Sequence, residues 1–399
     1  MQKDAKQLST YISNLQFKNP IYNDIIVVEH RSNNPKRDYL FVNKIQAKHI
    51  PCDVTKTHIM CKDLAREVNM NWRGKKNILI VGFAETATGI ARLMATEVND
   101  VIYFMCTTRE NILDAKDLIT FEEEHSHATT QKLLTHANND FDFKSITHIL
   151  FVEDEISTGN TILNFIKAFQ SQDVINRDVQ FGVASICNWQ NEVNKQKFKE
   201  HNVKTFALIT GELKDVNAKM SIDSNDIETN LDTYTEEKDT LIQKIIVCNI
   251  DYFKNKTLGS TIENISALDK YLSSVFDTIL SSIKDMKHIQ FIRVIGTEEC
   301  MAPAMQIAFR LKFMNKEFEQ VVCHSTTRSK IDILKEQDGL TSRTKVKSAY
   351  EKDRQTYIYN IEDYMDLTII VTDADNPNEF VNDIKDKLNT DSIILVHLR

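Results

Sequence analysis

The sequence predicts an α/β protein: a mostly parallel sheet flanked by helices, followed by a second α/β domain. Three observations predict this. Apolar runs of strand length alternate with stretches of helical periodicity, the order that βαβ units need. Several runs are continuous Ile, Leu, Val and Phe, which marks strands buried on both faces. Elements of the first half also return in the second half in the same order, as a diverged duplicate would show.

Ile25–Val28 and Tyr39–Val42 read as strands around the polar turn Arg31–Lys36, and a helix covers Val54–Val68. Asn77–Gly82 is a buried strand that enters the loop Phe83–Thr88. The helix after Gly89 places Ile90, Leu93, Met94 and Val98 on one face. Val101–Met105 is the next strand and ends at Cys106-Thr107-Thr108-Arg109. Ile149–Val152 is a strand that ends in Glu153-Asp154-Glu155, then Ser157-Thr158-Gly159-Asn160-Thr161, then a helix with Ile162, Ile166 and Phe169 on one stripe. Val179–Ala184 and Phe206–Ile209 continue the alternation. From Gly211 to about Asp239 the chain turns polar and acidic. The boundaries are therefore residues 1–215 for the first domain, 216–288 for a polar linker and amphipathic helix, and 289–399 for the second domain. Ser260 and Glu263 suggest a capping box ahead of that helix, whose apolar face serves core packing or a dimer surface.

In the second domain Ile292–Gly296 repeats Ile78–Gly82, and Thr326-Thr327-Arg328 repeats Thr107-Thr108-Arg109. Arg109 and Asp154 are 45 positions apart, and so are Arg328 and Asp373. Asn376-Pro377-Asn378 lacks the glycine and threonine of the first copy's loop.

Bulk properties narrow the function. The 399 residues, 42% apolar and 27% charged, describe an ordinary soluble protein. A net charge of −8 argues against a nucleic-acid footprint. No apolar run is long enough to span a membrane, and Met1–Lys6 leads into no signal core. Seven scattered cysteines with no Cys-x-x-Cys pair fit reduced thiols in a cytoplasm. Among only nine glycines, Gly82, Gly89, Gly159 and Gly296 stand beside strand ends, where positive φ or close ligand approach is expected.

The strand–acid–loop–helix order at 149–161 builds a sugar-phosphate site. Loop amides and a helix N-terminus bind a phosphate dianion, and adjacent carboxylates accept hydrogen bonds from ribose hydroxyls. Glu153 and Asp154 are the candidates for the 2′- and 3′-hydroxyls, with Mg²⁺ nearby on substrate phosphate oxygens. An acidic strand end that merely caps a helix is the bland alternative, and the loop that follows directly favours a ligand. Ser157, Thr158, Gly159, Asn160 and Thr161 form the 5′-phosphate loop. Gly82, Phe83, Ala84, Glu85, Thr86, Ala87 and Thr88 form a second strand-end loop whose amides and Thr86 and Thr88 hydroxyls suit a diphosphate, although Glu85 would repel an anion unless it meets Mg²⁺ or a cation. Arg109 suits bidentate phosphate binding. Glu122, Glu123, Glu124, His125 and His127 lie between two strands, where a mobile loop with acid–base or metal-binding capacity is expected, without a zinc spacing. Lys44, Lys48 and His49 are candidates for an N-terminal substrate pocket. Glu298, Glu299, Thr327, Arg328 and Asp373 are the second-domain candidates; Cys300 has no identifiable base.

The segment 149–161 resembles the phosphoribosyl-pyrophosphate (PRPP) motif of type I phosphoribosyltransferases. Over almost its whole length the chain resembles the orotate phosphoribosyltransferase-like family of tellurium-resistance and stress-response gene clusters, in which a phosphoribosyltransferase domain precedes a domain named for a Thr-Arg-Ser-Pro motif. Asn34–Arg37, Lys48–Pro51, Gly82–Gly89, Thr107–Arg109, Phe121–Ala128 and Asp154–Thr161 carry the likeness, with Gly296–Glu299 and Thr327–Ser329 in the second domain. Lys330 replaces the motif's proline. The resemblance implies a type I phosphoribosyltransferase-like sheet and a PRPP-dependent enzyme in a nucleotide or nucleoside-like biosynthetic module. It implies Mg²⁺ as cofactor and PRPP plus an unidentified base as ligands. Homo-oligomers or module-encoded proteins are the candidate partners. The alternatives are a non-catalytic PRPP or nucleotide sensor, and a second domain that acts on the first domain's product.

Overall fold

The computed structural model describes residues 3–31, 37–74, 76–110, 115–122, 130–136, 143–171, 175–215, 220, 245–250, 263–284, 286, 288–314, 318–334 and 339–398, with backbone alone for 3–6, 115–122, 130, 135–136, 245–250, 263–265 and 267–268. The fold is α/β, with two mixed, mostly parallel sheets flanked by helices.

The first sheet has seven strands in the order Ile12–Phe17, Val203–Leu213, Gln180–Asn188, His148–Ile156, Ile78–Gly82, Val101–Cys106, Glu263–Asn264. Its five inner strands run parallel and its two edges antiparallel. Ile78–Val81 and Ile149–Val152 are fully buried, as strands covered on both faces must be. The second sheet has six strands in the order Ile245–Ile250, Thr390–Leu398, Met365–Thr372, Phe291–Gly296, Gln320–Ser325, Cys52–Asp53, again parallel except at the last pairing.

Laid side by side, the sheets match strand for strand from Val203–Leu213 and Ile245–Ile250 outward, so the likeness of the two halves extends to topology. Among the parallel strands there is one permutation: Ile245–Ile250 precedes the others of its sheet in the chain, whereas Val203–Leu213 follows the others of its own. The edges are exchanged. Cys52–Asp53, from the first half, pairs with Gln320–Ser325 of the second sheet, and Glu263–Asn264, just before the second half, pairs with Val101–Cys106 of the first.

Helices Val54–Asn71, Thr88–Glu97, Ile265–Lys284 and Met301–Met314 form a shared middle layer. One apolar core runs through it from Ile78 and Ile80 to Ile292 and Val294, and includes Met60, Ile90, Leu272, Phe276 and Met305. Gly89 and Met305 mark a close helix crossing: a Cβ on Gly89 would lie 2.6 Å from the methionine sulfur. Helix Asn160–Ser171 covers the outer face of the first sheet and helix Asn378–Lys385 that of the second. No helix among the described residues is long and apolar enough to cross a membrane.

Two expectations change, and the packing reading of the Ile265–Lys284 face holds. Glu263 lies in an edge strand and caps no helix, because pairing with Phe104 holds it extended; Ser260 lies outside the described residues. The apolar face of Ile265–Lys284 is spent in the shared core, with Tyr271, Leu272, Val275, Phe276 and Ile279 buried. The segment read as linker contributes Ile245–Ile250 to the second sheet.

Candidate active site

The carboxyl ends of the first sheet's parallel strands gather the candidate residues, as the open-sheet rule requires. Asp154 lies near the carboxyl end of the His148–Ile156 strand and its Oδ1 accepts the Glu155 N–H at 2.9 Å. Burial and the adjacent Glu155 push the Asp154 carboxyl up to about 6, against hydrogen bonds from the Thr86 side chain and backbone that favour its charged form. Among the described residues no lysine or arginine pairs with Asp154. Glu155 is only partly exposed and is held by two donors: Arg37 Nη1 reaches its Oε1 at 2.7 Å and Trp189 Nε1 donates to its Oε2 at 3.3 Å. The Arg37 guanidinium lies over the Tyr39 and Phe41 rings at 4.6 and 4.9 Å. This contact ties the Ile26–His30 and Tyr39–Asn43 hairpin to the strand end.

Ser157, Thr158 and Gly159 link the strand to helix Asn160–Ser171, which carries no acid in its first turn. Gly159 has φ +76°, and a Cβ there would meet the Phe198 ring at 2.4 Å. Glycine is therefore needed at this point for conformation and for space. The Thr158 hydroxyl accepts the Asn160 N–H at 3.3 Å, and Gln190 Nε2 donates to the Thr158 carbonyl at 3.4 Å. Ser157, Thr158, Asn160 and Thr161 remain partly exposed beside the helix N-terminus, a place suited to a phosphate.

The Gly82–Thr88 loop is pinned from every side. Phe83 N–H donates to the Val152 carbonyl at 3.1 Å and Ala84 N–H to the Thr107 hydroxyl at 2.8 Å. Gln46 donates to the Thr86 carbonyl at 2.8 Å, and Gln131 to the Ala84 carbonyl at 3.1 Å while accepting from Thr107. The Ala84–Glu85 peptide is cis. Gly82 serves packing and not ligand approach: an added Cβ would lie 2.5 Å from Ala91 Cβ. Glu85 is not a repelling anion. Lys48 Nζ sits 2.6 Å from its Oε1, both side chains buried. Burial alone would raise the Glu85 carboxyl, but Lys48 and Arg328 hold it down to about 2.

Lys48 also donates to the Glu298 and Thr326 carbonyls at 2.9 and 3.0 Å, so it is a bridge between domains. Burial, with Lys48 beside it, pushes the His49 imidazole down to about 3, so it is neutral near pH 7. Lys44 parts from these two and lines a cavity of about 640 Å³ with Tyr22, Asp24, Lys56 and Gln320. Arg109 is half-buried at the end of Val101–Cys106, close enough to Glu85 and Glu299 to act on their charge. Glu123, Glu124, His125 and His127 lie outside the described residues, as does the side chain of Glu122, whose backbone ends the strand Ala115–Glu122.

The corresponding place in the second domain is filled by its own side chains. Glu298 Oε2 meets Arg328 Nε at 2.7 Å and Arg354 Nη1 at 3.1 Å, and its Oε1 accepts from Ser348. Asp373 accepts from the Tyr350 hydroxyl, which is also 3.3 Å from the Thr297 carbonyl. Thr327 exchanges backbone hydrogen bonds with Tyr357, both 2.8 Å, just as Thr108 does with Lys132, both 2.9 Å. Glu298 N–H donates to the Thr326 hydroxyl at 2.9 Å, matching Ala84 and Thr107. Such bond-for-bond agreement identifies Arg328 as the counterpart of Arg109.

A family model described as phosphoribosyl transferase matches residues 26–212, and one described as the TRSP domain C-terminal to it matches residues 258–388. The chain thus joins a phosphoribosyltransferase-like domain to a TRSP domain. Among solved structures, it is similar to adenine phosphoribosyltransferase from Trypanosoma brucei in complex with AMP, pyrophosphate and ribose-5-phosphate: 15% identity, 50% of this chain, 82% of that one, TM-score 0.32. The Giardia lamblia enzyme complexed with 9-deazaadenine gives 13% identity, 47% and 94% coverage, and TM-score 0.33. A hypothetical protein from Neisseria gonorrhoeae with bound ppGpp gives 16% identity, 42% and 85% coverage, and TM-score 0.27. Among curated proteins nothing matches.

Several residues that shape the phosphoribosyltransferase-like site escape sequence reasoning. Gln46 and Gln131 carry no motif and act only because the fold brings them to the loop. Glu110 and Arg354 complete the ion cluster between the domains at 2.6 Å, and no spacing signals that pair. Arg37 is visible only within the Asn34–Arg37 segment, whose role emerges once Glu155 is seen beside it.

Proposed function

We propose that this protein is a pentosyltransferase that moves a phosphoribosyl group between PRPP and a nitrogen base, assisted by Mg²⁺. The observation that carries the reading is the desolvated Asp154 carboxyl. It is hydrogen-bonded to Thr86 of one anion loop and stands directly before the other, so that one sheet edge offers places for both phosphate ends and the ribose between them. In this reading Ser157–Thr161 hold the 5′-phosphate with amides and hydroxyls. Glu153 and Asp154 accept hydrogen bonds from the ribose hydroxyls, and the Gly82–Thr88 loop with Arg109 receives the pyrophosphate. The base nitrogen attacks C1 as the C1–oxygen bond to pyrophosphate breaks, and the base loses its proton. These residues act mainly by positioning and by stabilising charge.

Mg²⁺ fits the donor set. A hard cation bound through one or two carboxylates and substrate phosphates needs no protein cage, and Asp154 is a partly exposed acid without a cationic partner among the described residues. When bound, it would neutralise charge on the leaving pyrophosphate. The site's setting, reduced buried thiols included, suits a cytoplasmic enzyme in a nucleotide-related or stress-response module.

The test is incubation of the full chain with PRPP, Mg²⁺ and a panel of nitrogen bases, with pyrophosphate release as the readout. Release that depends on one base supports the proposal. Binding of PRPP with no turnover across the panel points to a sensor, and absence of both binding and turnover refutes the phosphoribosyl reading.

A further inference from the structure

The TRSP domain's motif residues reach out of their own domain. Glu299 follows Glu298 in the loop that corresponds to the pyrophosphate loop, yet its carboxylate faces the first domain. Thr108 Oγ1 donates to Glu299 Oε2 at 2.6 Å, and the Arg109 backbone N–H donates to Oε1 at 3.1 Å. The Glu299 carbonyl accepts from the Thr88 hydroxyl at 3.3 Å. One residue thus grips both the end of the Gly82–Thr88 loop and the turn that carries Arg109. Arg328 steadies it from 3.7 Å and lies 4.0 Å from Glu85 and 2.7 Å from Glu298, with an ion pair to Glu110 as well. Arg328 therefore spends its charge on glutamates of both domains, leaving its own domain's phosphate place without the arginine that Arg109 supplies in the first. Arg354 completes the cluster at 2.6 Å from Glu110 and 3.1 Å from Glu298.

We propose that Glu299 and Arg328 are positioning residues for the pyrophosphate end of the first domain's site, and that the TRSP domain serves as a built-in partner for one live site. The inference rests on the phosphoribosyl reading for its ligand and on the bonds between the domains for its geometry. Charge-assisted bonds of this kind in a desolvated setting hold a loop in one arrangement, and a binding loop that is already ordered loses less freedom when its ligand arrives.

Calorimetry on the full chain separates this role from general stability. Wild type, Glu299→Gln and Arg328→Lys are titrated with PRPP, pyrophosphate and ribose 5-phosphate in Mg²⁺, with melting temperatures measured alongside. Glu299→Gln is expected to weaken PRPP and pyrophosphate about ten-fold or more and to leave ribose 5-phosphate within about two-fold, the loss of one charged hydrogen-bond partner confined to one end of the ligand. Arg328→Lys, which keeps a cation, is expected to show the same selectivity with a smaller loss. Equal weakening of all three ligands, or no change, overturns the proposal. If wild type binds none of the three, the phosphoribosyl reading fails on its own, and amide exchange decides the positioning role. Faster exchange over residues 83–88 and 107–110 in Glu299→Gln supports it, and unchanged exchange overturns it.

Discussion

Replacing Asp154 with asparagine should make the folded protein more stable and the ligand weaker, a pairing that only a functional carboxylate produces. Its carboxyl rises from an ordinary 3.8 to about 6 in the fold, chiefly through burial. Each unit of difference corresponds to about 1.4 kcal/mol, so the ionised side chain costs the native state on the order of 2–3 kcal/mol. The sign follows from proton counting. Between about pH 4 and pH 6 the native state holds the proton that the unfolded chain has released, so stability falls as pH rises through this window and is level above it. The substituted amide keeps an oxygen for the Glu155 N–H and the Thr86 hydroxyl but carries no charge. Asp154→Asn should match wild type near pH 4 and exceed it by on the order of 2–3 kcal/mol at pH 7, which for a chain of this length is a melting shift of about 2–4 °C. Urea unfolding at several pH values, followed by circular dichroism, reads the difference directly. PRPP affinity at pH 7 should drop at least about ten-fold in the same variant, the loss of a charged acceptor. A stability difference that does not change with pH, or a variant less stable than wild type at pH 7, would refute the reasoning.

Three more perturbations follow from the geometry. Lys48→Met leaves Glu85 buried without its closest cation and should cost about 3–5 kcal/mol in chemical denaturation, with part recovered in the Lys48→Met/Glu85→Met double variant; equal cost in both would contradict the pairing. Gly159→Ala combines a positive φ with a clash against Phe198 and should cost about 2–4 kcal/mol, and Phe198→Leu should return the steric share but not the conformational one. Residues 1–215 expressed alone expose Met60, Ile90 and Met94 of the shared layer and should aggregate or remain unfolded by light scattering and circular dichroism, whereas a monodisperse folded fragment would show that the first domain's core is self-sufficient.

The parts of the fold that sequence reveals are those fixed by local chemistry. Ile78–Gly82, His148–Ile156 and Phe291–Gly296 are legible because burial on both faces leaves the runs dominated by apolar residues. The strand, acids and Ser-Thr-Gly loop at 149–161 are legible because the strand-to-helix turn needs glycine at a positive φ hard against the Phe198 ring, between an apolar run and a helical stripe. Cys52–Asp53 and Glu263–Asn264 are not legible, since two residues carry no period and are extended only because a distant edge pairs with them. Glu263 shows how this misleads: three residues after a serine it imitates a helix cap. Glu85 looks misplaced in a loop read from sequence as an anion loop because its counter-charge, Lys48, arrives through the fold and not through the chain.

The exchanged edges bear on how the protein is made. Cys52 takes its place beside Cys323 only after most of the chain has left the ribosome, and until then the segment before helix Val54–Asn71 has no sheet to join. Nascent first halves must wait with an unsatisfied apolar layer, and two crowded chains can satisfy one another by trading halves. Synthesis of this protein therefore favours conditions in which the second half follows quickly, and slowed translation between the halves should raise the share of intertwined dimers.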